Sequence, residues 1–110
     1  MTDTIKAAMH GGGRKHLSHA IRNLLPFKTS GALNGHASWH NSGQLTGDEL
    51  ERYFDAVDAG FRYVVTSYDT PIAWVTKDGE VYKVTKKFST TTSRHQDTLW
   101  ELGLDIKLHN

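Results

Sequence analysis

The stretch from residue 61 to 88, "FRYVVTSYDTPIAWVTKDGEVYKVTKKF", limits the fold more than any other part of the chain. It holds three segments rich in β-branched and aromatic residues, the types that favour strands. The links between them, "DT" and "KDGE", are too short for crossovers, so the segments read as an antiparallel meander. Asp78-Gly79 has the signature of a two-residue hairpin turn. That turn sets Lys77 opposite Glu80, Val75 opposite Tyr82 and Ala73 opposite Val84. One sheet face then carries Ala73, Val75, Tyr82 and Val84. The other carries Ile72, Trp74 and Val81 with Thr76, Lys83 and Thr85. Both faces are partly apolar, so either helices cover both or one face receives a partner.

Two helices are legible upstream. Leu17, Ala20, Ile21 and Leu24 fall at i, i+3, i+4 and i+7, which is one helical face, and Pro26 ends it. "TGDELERYFDAVDAG" has the capping-box spacing at Thr46 and Glu49, an apolar stripe of Leu50, Tyr53, Phe54 and Val57, and a stop at Gly60. Between them, Asn34-Gly35 is a hairpin signal that would set Leu33 opposite His36. After residue 93, "RHQDTLWELG" predicts a short last helix, and "LDIKL" a last strand or extended tail. "GGGRK" at 11–15 separates a flexible segment, residues 1–13, from a single α+β domain at 14–110. The expected fold is α+β, a small antiparallel sheet built on the meander and packed by about three helices. Its expected core is Leu17, Ile21, Leu24, Leu50, Phe54, Val57, Tyr63, Val65, Ala73, Val75, Val84 and Leu99.

Composition removes several function classes. The chain has 110 residues, 37% apolar, which suits one modest core. Its net charge of +1 gives no overall pull toward nucleic acid or membrane. The distribution is uneven: residues 1–46 hold five Lys/Arg against one Asp, and the remainder holds eight against eleven acidic residues. Without cysteine there is neither a disulfide nor a thiolate metal site. No apolar run has the length of a membrane span or a secretory signal, so a soluble cytoplasmic protein is expected. His16/His19 and His36/His40 lack the converging third and fourth ligands a metal site needs, and no metal or cofactor is expected.

"FSTTTSRHQ" at 88–96 concentrates hydroxyls ahead of an arginine and an imidazole. Ser93 and Gln96 have capping-box spacing, which is the simpler reading. Hydroxyl donors, Arg94 and His95 at a helix start also suit a phosphate or carboxylate. Because the third strand of a meander returns parallel to the first, its far end lies near the turn at Tyr68–Thr70. Tyr68, Asp69, Thr70, Ser89, Thr91, Thr92, Ser93, Arg94 and His95 are therefore expected to form one polar cluster.

"SYDTPIAW" at 67–74 followed by "FSTTTSRHQ" resembles a paired signature in small uncharacterised proteins of actinobacteriophages and their hosts. Members carry S-Y-x-T-x-I-A, a short hairpin, then an aromatic residue, a serine and T-T-S-R-H. The matching positions are Ser67, Tyr68, Thr70, Ile72, Ala73, Ser89, Thr91, Thr92, Ser93, Arg94 and His95. The resemblance spans residues 61–96 and extends weakly to "LPFKTSGALNG". It implies a phage-type α+β domain and no established activity.

Three function classes follow. The expected function is a non-enzymatic interaction protein binding a host or phage protein, or a second copy of itself, through the two-sided apolar sheet with Ile72 and Trp74. Nucleic-acid binding would use Lys83, Lys86 and Lys87 with Trp74 as a stacking platform. A small hydrolase or nuclease would use Tyr68, Arg94 and His95, with Asp69 or Asp97 beside the imidazole.

Overall fold

The computed structural model describes residues 4–8, 14–29, 32–39, 41–84 and 94–96. The elements run β1 (Ile5–Lys6), α1 (Arg14–Arg22), β2 (Phe27–Lys28), β3 (Leu33–His36), α2 (Gly47–Ala59), β4 (Tyr63–Ser67), β5 (Thr70–Val75) and β6 (Val81–Lys83). Residues 94–96 are also helical. The six strands form one sheet in chain order, and the fold is α+β as expected. The sheet is mixed: β1 pairs parallel with β2, and every later pair is antiparallel. Parallel neighbours require a crossover, and α1 is that crossover. Ile5 and Lys6, inside the segment read as flexible, are the strand that makes it necessary.

The meander is present, with its second turn altered. Val75 pairs with Val81, Trp74 with Tyr82 and Ala73 with Lys83, one residue out of the expected register. The cause is a three-residue loop. Gly79 N–H donates to Thr76 O at 2.9 Å, Thr76 N–H donates to Glu80 O at 2.8 Å, and Gly79 has φ +90. A type I turn followed by a left-handed glycine bulge replaces the two-residue turn. A one-residue slip moves side chains to the opposite face. Tyr82 therefore stacks on Trp74, ring centroids 4.7 Å apart, and does not join Val75.

Asn34-Gly35, expected as a turn, lies inside β3, with Asn34 opposite Lys28 and Thr66. Gly35 is there for space. A Cβ at that position would meet the Phe27 ring at 2.5 Å and the Tyr63 hydroxyl. The glycine lets β2 and β4 side chains cross over the strand.

Alternation along β4 and β5 splits the core in two. Tyr63, Val65, Ala73 and Val75 pack with Leu17, Ala20 and Ile21 of α1. Val64 and Trp74 pack with Tyr53 and Ala56 of α2. One helix covers each face, and every residue of β4 and β5 is buried. Pro71 is tolerated in this central strand because it sits where the β4–β5 register shifts. α1 ends with Leu24 at φ 54 in the left-handed region. The Leu25 N–H donates back to Ala20 O at 2.8 Å, and Pro26 follows.

The α2 stripe is rotated from the expected one. Tyr53 is fully buried, whereas Phe54 is 46% exposed, so Phe54 leaves the core and Leu50 and Val57 lie at its margin. Tyr53 meets Trp74 edge-on at 5.2 Å and donates its hydroxyl to Trp39 O at 3.0 Å. Thr46 is the N-cap in extended geometry, without a side-chain capping bond, and Gly60 ends the helix at φ 87. Leu99 and the expected last strand lie outside the described residues.

Tyr53→Ala should cost about 3–5 kcal/mol and Tyr53→Phe about 1 kcal/mol, while Phe54→Ala stays within about 1 kcal/mol. Urea denaturation of the three variants checks the ranking; equal losses for Tyr53→Ala and Phe54→Ala would contradict this helix phase.

Candidate functional site

β4 and β5 are joined by two residues, Tyr68 and Asp69, between the paired Ser67 and Thr70. Their φ angles are 50 and 66, as a type I′ turn demands. Asp tolerates this region, but a bulky aromatic does so at a cost of about 1 kcal/mol or more. Tyr68 nevertheless stands here, 59% exposed. Neighbouring contacts fix the turn. Tyr68 N–H donates to Ala32 O at 3.3 Å. Thr70 Oγ1 accepts the Gln44 N–H at 3.0 Å, and Gly43 lies so close to Thr70 that no Cβ would fit.

Behind the turn, Ser67 Oγ and His95 Nδ1 share a hydrogen bond of 2.7 Å. Ser67 is 1% exposed and His95 6%. Burial lowers the His95 pKa, so the ring is neutral and its tautomer sets which partner donates. The Tyr68 and His95 rings lie 6.5 Å apart, tilted. Next to His95, Gln96 Nε2 donates to Val84 O at 2.5 Å. The 94–96 helix is thereby tied to two strand ends. The two motifs meet chiefly through Ser67, a residue outside the expected polar cluster. Pairing of an alternate-face serine with a histidine 28 residues later has no local sequence signal.

A second imidazole flanks the same hairpin. His36 Nε2 and Thr66 Oγ1 are 3.1 Å apart, and His36 stacks on Trp39 at 4.2 Å. Burial lowers the His36 pKa, with the Asp69 carboxylate partly opposing it. Arg94 is exposed. Ser89, Thr91, Thr92, Ser93, Lys86 and Lys87 lie outside the described residues.

A family model matches residues 14–105 and is described as a family of unknown function, DUF8033. The chain belongs to this family. Both quoted motifs fall within the matched span, and β1 precedes it. No curated protein and no solved structure matches. In this DUF8033 chain Ile72 and Trp74 are buried, at 0% and 1% exposure, so they offer no surface to a partner or a base. Ile72 packs in the cluster under α1, and Trp74 is covered by α2 and by the stacked Tyr82 ring. Lys83 is half-buried opposite Ala73. Among the described residues, no group of three or more His or acidic side chains could hold a metal ion. Nor is any helix among them long and apolar enough to cross a membrane.

Two neutral histidines, the buried His95 and the half-buried His36, make the stability of the DUF8033 domain pH-dependent. Their folded pKa values lie below the ordinary 6.5. The unfolded chain therefore binds more protons between the two values. Stability is full above about pH 6.5 and falls as the pH drops below it toward the lowered folded values. Melting temperatures from pH 7.5 to 5 should decline, and His95→Gln should flatten that decline; an unchanged slope would show that His95 titrates as it does in the unfolded chain.

Proposed function

We propose that this protein is a non-enzymatic binding domain that engages a host or phage protein through the Tyr68–Asp69 turn. The observation that carries this reading is a large aromatic ring exposed on a backbone it disfavours, over a buried polar anchor. Strain of this kind persists where the surrounding structure holds it, and it clusters at functional sites. Tyrosine is a frequent interface anchor because it brings large contact area at low conformational cost. A tip held by Ser67, His95 and Gln44 loses little further entropy on binding.

Burial of Ser67 and His95 favours binding over catalysis. Their spacing suits a nucleophile and base, but a substrate carbonyl or phosphate would have to reach groups closed to solvent. The buried position of Trp74 likewise removes the stacking platform that nucleic-acid binding would need. The paired motifs support a bacteriophage origin, which would place the domain and its partner in the cytoplasm of an infected bacterium.

Tyr68→Asn separates binding from folding. Asparagine accepts the left-handed region, so the variant should gain about 1 kcal/mol in stability. With both proteins immobilised and exposed to nuclease-treated bacterial lysate, a protein held by the parent at high salt should be absent from the variant. A variant that melts higher and retains the same protein would remove the turn from the interface.

A further inference from the structure

α1 and α2 lie on opposite faces of the sheet, and their outer stripes carry opposite charge. On α1, Lys15, His19 and Arg22 fall at i, i+4 and i+7, all exposed. On α2, Asp48, Glu51, Asp55 and Asp58 fall at i, i+3, i+7 and i+10, also exposed, with Phe54 among them. The one basic residue of α2, Arg52, is turned toward the sheet, its guanidinium 5.4 Å over the Tyr82 ring.

Neither stripe serves its own helix throughout. α1 has no acidic residue in its first turn and carries Lys15 there, at the positive end of the dipole. α2 has no basic residue in its last turn and carries Asp58 there, at the negative end. Each helix keeps a charge that works against its own dipole, and each charge complements the other helix. Since the two helices pack on opposite faces of the sheet, the two stripes do not meet within one molecule and can meet between molecules.

We propose that copies of this chain stack head to tail, the acidic stripe of α2 on one copy docking against the basic stripe of α1 on the next. Phe54 supplies the apolar centre, against which a cationic side chain of the α1 stripe stacks. The contact is heterologous, so each copy leaves one unused face and the stack can grow. Helices of 9 and 13 residues are about 13 and 20 Å long, so the contact is smaller than that of a stable dimer. The association is therefore weak, concentration-dependent and salt-sensitive. It is independent of the Tyr68 turn and of the partner proposed there.

Sedimentation velocity over a concentration series tests it. The weight-average coefficient should rise with concentration in about 0.02 M salt and fall to the monomer value in about 0.5 M, where the Debye length drops from roughly 20 Å to roughly 4 Å. Two charge-reversed proteins sharpen the test: Lys15→Glu/Arg22→Glu, and Glu51→Lys/Asp55→Lys. Each replaces a helix charge at an exposed position, and folding is checked by circular dichroism and melting. Each alone should be monomeric in low salt, and a one-to-one mixture should associate again. Phe54→Ser should weaken the parent association by roughly tenfold. A parent that is monomeric at every concentration in low salt overturns the proposal. So does association that survives charge reversal, or a mixture that fails to restore it.

Discussion

Burial of β4 and β5 on both faces is the constraint from which the rest of the architecture follows. Strands with every side chain covered need a helical layer above and below, and α1 and α2 supply one each. The parallel β1–β2 pair carries α1 over one face, and the β3–β4 connection carries α2 over the other. Alternation then assigns the core: odd positions of β4 to α1, and Val64 with its cross-strand neighbour Trp74 to α2. The aromatic residues act as rivets between layers. The Tyr63 hydroxyl donates to Leu25 O at 2.8 Å, and that of Tyr53 to Trp39 O, so both rings are buried with their polar ends satisfied.

Much of this was legible in the residues. The α1 stripe, the α2 boundaries at Thr46 and Gly60, and the strands of the meander follow from local periodicity and turn chemistry. What was lost depended on one-residue phase. "KDGE" accommodates either a two-residue turn or a bulged three-residue loop, and only the packing of Tyr82 on Trp74 distinguishes them. Tyr53 and Phe54 are adjacent and similarly apolar. A stripe on a helix this short leaves open which one faces Trp74. The surface role read for Ile72 and Trp74 required a face without a helix, and Ile72 packs with α1 while Trp74 packs with α2.

The candidate site shows a similar division. The meander's geometry was enough to bring "SYDT" beside "RHQ". The chemistry of the junction was not, because a serine–histidine bond across 28 residues is a tertiary fact. The bond divides the hairpin end into a dry side and a wet side. Ser67, Thr70, His95 and Gln96 are sealed, and Tyr68, Asp69 and Arg94 are left facing solvent. Rigidity and display are thus supplied by different residues of the same two motifs.

Asn34-Gly35 has a chemical consequence beyond packing. Asparagine followed by glycine is the dipeptide most prone to cyclise to a succinimide, through attack of the glycine nitrogen on the asparagine side chain. That attack needs a bent backbone. Held in β3 between β2 and β4, the pair is extended and its amide is kept from reacting. Slow conversion of Asn34 to aspartate and isoaspartate would therefore proceed only through molecules in which β3 has detached. The accumulation of that product in stored protein is a clock for the opening of this strand, readable by mass without any label.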